Sequence, residues 1–222
     1  MPTILDQRHR QMRRALNWSA WLFAGYLFTT YIVLTDGFLV RIDRELNNWH
    51  HPKFHGLSNF LIRRLDDLGL RSVSGIALII VGSYIAYRFK TWRPINLGLL
   101  AFIALNVVVG AFKYALGRTK PRMGLDILHA GGMSYPSGHA SNAVLSWGIL
   151  AYLIYRYAKI DRYQGRLASA GVVLISLTVC VVSLIRHTHW FTDLLGGLFV
   201  GSALLVAVIA IDRYVPSKSQ LH

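Results

Sequence analysis

Charge is scarce in this chain, and acid scarcer still. Of its 222 residues only 15% are charged, and 10 Asp or Glu stand against 24 Lys or Arg. A soluble domain carries about 25% charge. Here 54% of residues are hydrophobic and the mean hydropathy is +0.40. They gather into runs long enough to cross a bilayer, which takes roughly 20 residues each. An ordinary soluble protein is thereby excluded. The single cysteine, Cys180, lies inside an apolar run, so it can form no internal disulfide and leaves the redox compartment open. The apolar run from Leu16 to Leu34 follows Arg8, Arg10, Arg13 and Arg14. It is too long for the core of a signal peptide, and no small-residue cleavage site follows, so a retained anchor is expected. Internal repeats and low-complexity segments are absent. No basic face interleaved with aromatics accompanies the net charge of +14, which argues against nucleic acid as a partner. The basic residues sit mainly between apolar runs, where positive-inside bias and anionic lipid account for them.

What is present predicts an all-α, polytopic membrane protein, expected as one domain over residues 1–222. Six spans fit, over about 16–36, 72–88, 94–116, 139–157, 167–185 and 190–212. Between the first two, Leu57, Phe60, Leu61, Leu65 and Leu68 recur at helical spacing among Arg63, Arg64, Asp66 and Asp67, the pattern of an interfacial helix. With the N-terminus inside, the inner segments collect Arg8 to Arg14, then Arg88, Lys90 and Arg93, then Arg156, Lys159, Arg162 and Arg166, and last Arg213 and Lys218. The positive-inside rule then sets both termini in the cytoplasm. It also brings the 117–138 loop and the short 186–189 turn to one outer face, in a plasma or inner membrane.

Three polar clusters fall at helix ends on that face: Lys113, Arg118, Lys120, Pro121 and Arg122; Pro136, Ser137, Gly138 and His139; and Arg186, His187, His189 and Asp193. Singly each has a plain explanation, as a snorkelling lysine, an N-cap serine or interface anchors. Jointly they do not, because charge at membrane depth is costly unless it serves a site. A phosphoryl transition state spreads negative charge over three oxygens and calls for fixed cations and N–H donors. A helix beginning at Ser137-Gly138-His139 offers free amides to an anion. The four-residue spacing sets His189 and Asp193 on one helix face. The carboxylate can then fix the imidazole tautomer, leaving the other nitrogen to attack phosphorus. His139 is the candidate acid for the departing oxygen.

These residues resemble the type 2 phosphatidic acid phosphatases, a family that shares its active site with vanadium haloperoxidases. Its pattern is Lys, six residues, Arg-Pro; then Pro-Ser-Gly-His; then Ser-Arg, five residues, His, three residues, Asp. Here the elements are Lys113 to Lys120-Pro121, Pro136 to His139, and His189 with Asp193, and the resemblance covers about residues 95–205. It implies His189 as nucleophile, His139 as acid, and Lys113, Lys120, Ser137 and Gly138 as phosphate ligands, with Arg118 within the first element. Two departures stand out. Lys120 replaces an arginine, keeping charge but losing the bidentate fork. Ser183 stands where the family has a second arginine, and Arg186, one helical turn on, is expected to reach the same phosphate.

The chemistry calls for no metal or other cofactor, and no acidic magnesium cage is visible. His50, His51 and His55 lack a carboxylate or cysteine partner, and His129 stands apart in the loop, so a zinc or haem site is not indicated. A transporter would show matching broken helices in two halves, and an intramembrane serine protease a serine deep within a helix. Neither pattern occurs, since Ser137 opens a helix. The substrate implied by the resemblance is a lipid phosphate: undecaprenyl diphosphate first, then phosphatidylglycerol phosphate or phosphatidate. Phosphate transfer to another lipid headgroup, such as that of lipid A, is the alternative outcome for the same intermediate.

Overall fold

In lipid every backbone polar group must find its partner within the protein, so long apolar segments become helices. The computed structural model describes residues 4–49, 52–158 and 160–215, and the described residues contain no strand. His50, His51, Lys159 and Lys218 lie outside them. The order is α1 (Ile4–Leu34), α2 (Phe38–Asn48), α3 (Gly56–Asp67), α4 (Arg71–Phe89), α5 (Arg93–Leu116), a 3-10 turn (Pro121–Met123), α6 (Gly138–Tyr157), α7 (Arg162–Ile185) and α8 (Phe191–Tyr214).

The six long helices fall where the apolar runs predict them, with two differences of extent, the smaller being α7, which begins at Arg162 rather than near 167. α1 begins near residue 4 rather than 16 and carries the basic cluster within it, because nothing in residues 4–24 breaks a helix. Six spans are more than hydropathy supports. Among the described residues four helices are long and apolar enough to cross a membrane, α4, the segment opened by α5, α7 and α8. A fifth follows if α1 and α2, bent by 72° at their junction, form one broken span. The helix left out is α6, which carries Ser141, Asn142 and Ser146. Those side chains are buried against neighbouring helices and never meet lipid. The segment between the first two spans holds two helices rather than one, α2 having been missed.

Helices α6 and α8 form the centre. α8 packs on α1 and α6, while α6 also meets α4, α5 and α7. Close approach between α6 and α8 is permitted by glycine. A Cβ on Gly197 would lie 2.6 Å from the Ser137 carbonyl oxygen, and one on Gly201 2.7 Å from that of Ser141. Small residues at such crossings bring backbones together where lipid supplies no hydrophobic drive. Tyr26, Leu105, Val109, Leu145, Ile149 and Val200 fill the remaining core at 0% exposure.

The two ends of the bundle differ in character. At one end α1 starts and α8 finishes, and Asp212 accepts from Arg93 Nε at 2.6 Å, from Tyr152 Oη at 2.7 Å and from Arg156. At the other end α5 and α7 finish while α4, α6 and α8 begin. All three clusters singled out in the sequence lie at this second end.

Candidate active site

The third cluster sits where α7 turns into α8. His187 takes a positive φ of 52° in the turn, and α8 opens two residues after His189. Asp193 reaches back over that first turn. Its Oδ2 accepts the Trp190 amide at 2.9 Å and the Ser134 hydroxyl, and lies 3.4 Å from His189 Nδ1. The carboxylate is fully buried, so its hydrogen bonds fix its position. With Nδ1 turned toward the carboxylate, Nε2 of His189 is the nitrogen left for chemistry.

The second cluster lies opposite. Ser137 caps α6, its Oγ accepting the Ala140 amide at 3.2 Å, and its own amide donates to the Asp193 carbonyl at 2.8 Å. The cap leaves the first amides of α6, those of Gly138 and His139, without a partner among the described residues. The imidazoles of His139 and His189 are 5.9 Å apart between ring centroids. Between them opens a pocket of about 390 Å³, lined by Lys113, Lys120, Gly138, His139 and His189 together with Gly69, Leu70, Arg71, Ser72 and Met133. Lys113 Nζ donates to the Met133 carbonyl and lies 3.4 Å from that of Ser134, while the Lys120 side chain makes no ion pair or hydrogen bond among the described residues.

Of the nine site residues read from the sequence, the pocket thus collects His189, His139, Lys113, Lys120 and Gly138, with Asp193 directly behind His189. Ser137 is buried and contributes through the helix it caps. Two expectations need correction. Arg118 does not line the pocket. Its side chain is 0% exposed, and its donors are all engaged: Asp126 at 2.7 and 2.6 Å, Asp193 at 2.9 Å, Thr192 at 2.7 Å and Asp43 at 2.8 Å. Asp43 in turn accepts the Thr192 amide at 2.9 Å and its hydroxyl at 2.6 Å. A fork with several donors suits this junction, which ties α2, the 117–137 loop and α8 together behind His189. Arg186 is not at the pocket either. At the C-cap of α7 it pairs with Asp66 of α3, and Ser183, one turn earlier, lies 3.4 Å from the same carboxylate. The pair, made through Nη1, fastens α3 to α7 and holds the guanidinium outside the set of residues that line the pocket.

Several neighbours were not legible in the sequence. The start of α4 is held to α6 by Asn142 Nδ2, which donates to the Gly69 carbonyl at 3.0 Å and to Ser74 Oγ at 2.8 Å, and by Trp147 Nε1, which donates to the Leu68 carbonyl at 2.9 Å. Gly69 is required there, since a Cβ would lie 2.9 Å from His139 Cβ and 2.8 Å from Val179 Cγ1. Asp43, Ser134 and Thr192 have no spacing that announces them; only the path of the chain brings them to Arg118 and Asp193. Of the other histidines, His55 precedes α3 and His129 lies in the loop with a positive φ of 56°. No group of three or more metal-ligating side chains occurs among the described residues.

A helical membrane bundle with paired histidines, a buried carboxylate and a cationic pocket at one end defines a class, and comparison with known proteins gives that class its family. Residues 94–216 match the model of the PAP2 superfamily, more than half of the chain, and the protein belongs to that family as a multi-pass membrane phosphatase. It is 24% identical over 157 residues to phosphatidylglycerophosphatase B of Bacillus subtilis, covering 71% of this chain and 76% of the relative. Its fold matches the crystal structure of a transmembrane PAP2-type phosphatidylglycerolphosphate phosphatase from Bacillus subtilis with a TM-score of 0.76 at 20% identity, covering 89% of this chain and 98% of that one.

Proposed function

We propose that this protein hydrolyses a lipid phosphate through a phosphohistidine intermediate on His189. One observation carries the reading: His189, backed by buried Asp193, faces His139 across a pocket otherwise lined by the cations Arg71, Lys113 and Lys120, the Ser72 hydroxyl and the start of α6, with no carboxylate among them. Nε2 of His189 attacks phosphorus while the bond from phosphorus to the lipid oxygen breaks. His139 gives a proton to that oxygen, so the lipid leaves as an alcohol or as a shorter phosphate. Asp193 holds the Nδ1 proton and stabilises the imidazolium that forms as His189 is phosphorylated. Water then attacks phosphorus, His139 takes its proton, and the phosphorus–nitrogen bond breaks to release inorganic phosphate. Lys113, Lys120 and the amides of Gly138 and His139 offset the charge on the equatorial oxygens. The cycle is complete without a metal.

The substrate proposed first is now phosphatidylglycerol phosphate, ahead of undecaprenyl diphosphate and phosphatidate, because the similar proteins are named for it. The proposed arrangement in the membrane has six spans, both termini in the cytoplasm and the site at the outer face. Its support is the density of basic residues in the short segments at the opposite end, Arg8 to Arg14, Arg88 to Arg93 and Arg156 to Arg166, with the longer 37–70 segment at the site's end also basic. Phosphate release by purified protein in detergent, with EDTA present and these three lipids as substrates, tests the reading. Release from phosphatidylglycerol phosphate that disappears in His189→Ala is expected. Retention of most activity by that variant sinks the nucleophile assignment.

A further inference from the structure

The family pattern asks for an arginine at position 183, and this chain has serine there, buried against Asp66. Arg186, the nearest candidate in sequence, pairs with the same carboxylate and does not line the pocket. The guanidinium that does line the pocket comes from another helix. Arg71, the first residue of α4, borders the space over Gly138: a Cβ placed on that glycine would lie 3.6 Å from Arg71 Nη2 and 3.7 Å from Lys113 Cε. We infer that Arg71 is a substrate-binding residue that grips the phosphate of the lipid, taking over the part of the arginine absent at 183. The inference rests on the phosphatase reading above, and Arg71 lies outside the segment matched to the family.

Three features of its setting favour an anion. The Arg71 side chain makes no ion pair or hydrogen bond among the described residues, although Asp66 and Asp67 lie only a few residues away in sequence. It stands at the positive end of a helix of 19 residues whose first turn no side chain caps. A cation at a helix N-terminus is disfavoured by the dipole, and its placement there makes sense when an anion completes the charge. The backbone beneath it is also fixed. Asn142 and Trp147 hold Gly69 and Leu68, so the turn presenting Arg71 is tied to the helix that presents His139. Arg71 and Lys113 flank Gly138 with the unpartnered α6 amides between them. A phosphate held by those amides would meet a guanidinium on one side and an ammonium on the other, the charge-assisted contacts that bind phosphate oxygens most strongly. The chemistry this pocket would recognise is a terminal phosphate, on a lipid or free as inorganic phosphate.

Binding can be read without turnover, from the rise of the unfolding midpoint of the full-length protein in detergent as inorganic phosphate is titrated in. The wild type is expected to gain stability with phosphate. Arg71→Ala should need at least tenfold more phosphate for the same gain, while its midpoint without phosphate stays put because the side chain has no protein partner to lose. Arg71→Lys should recover part of the affinity, keeping charge without the fork. Under lipid turnover the Ala variant should raise KM at least tenfold. A titration of Arg71→Ala that overlays the wild type overturns the inference, as does a wild type that phosphate does not stabilise. Loss of phosphate binding in Arg186→Ala but not in Arg71→Ala also overturns it and returns the role to Arg186. Absence of phosphate release from any lipid phosphate, with phosphate binding still dependent on Arg71, defeats the hydrolase reading alone.

Discussion

Replacing Arg118 with methionine separates the two roles this residue could have. A phosphate ligand, when removed, weakens substrate binding and leaves the fold intact. The residue seen here is a junction, with its guanidinium bonded to Asp43, Asp126, Asp193 and Thr192 at 2.6–2.9 Å. Asp43 and Asp193 are themselves without exposed side-chain area. Removing the cation strands two buried carboxylates, and breaking a buried pair from one side costs about 3–5 kcal/mol. Arg118→Met should therefore be destabilised by about that much in SDS-driven unfolding from mixed micelles. Its residual folded fraction should also turn over slowly, because Asp193 no longer has a fixed place behind His189. Neutralising Asp43 as well should return part of the loss, so Arg118→Met with Asp43→Asn should be more stable than the two separate losses predict. A variant within about 1 kcal/mol of the wild type, with KM alone raised, would refute the junction and restore Arg118 to the phosphate site.

Two further substitutions probe how glycine positions the site. Gly69→Ala would press a methyl against His139 Cβ at 2.9 Å. A reacting group displaced by about 1 Å can cost roughly 100-fold in rate, so kcat should fall by that order, measured as phosphate release, while phosphate still stabilises the protein; an unchanged kcat would mean that His139 is not held by this contact. Gly197→Ala would meet the Ser137 carbonyl oxygen at 2.6 Å, backbone that cannot rotate away. Overpacking of this kind costs about 1–3 kcal/mol, read as a lowered midpoint in the same unfolding assay.

The helices were legible because lipid leaves a chain little choice. A run of about 20 apolar residues must satisfy its own backbone, so the positions of the long helices follow from hydropathy. His189 and Asp193, and the run from Ser137 to His139, were legible for a related reason: their geometry is local, though His189 lies just ahead of α8 rather than on a shared helix face, with Asp193 on the first turn reaching back to it. α6 was placed by its apolar run, yet its polar residues alone do not say that it sits at the centre of the bundle. The boundary of α1 was missed because hydropathy marks only its apolar part, although nothing in the basic segment before it breaks a helix.

Charge partnership lay beyond that local reach. Arg118, Arg186 and Arg71 are chemically alike, and nothing in their immediate surroundings says which of them faces a carboxylate and which an open pocket. The partners come from elsewhere in the chain: Asp43 lies on α2, Asp66 on α3, and the Asn142 that fixes the turn beneath Arg71 on α6. The sequence alone determined that the chain crosses a membrane and carries paired histidines with an acid behind one of them. Only the tertiary structure decided which arginines are spent on carboxylates and which one is left at the pocket. Helix identity is settled by neighbours within a turn, whereas the charge state of a pocket depends on every element that packs around it.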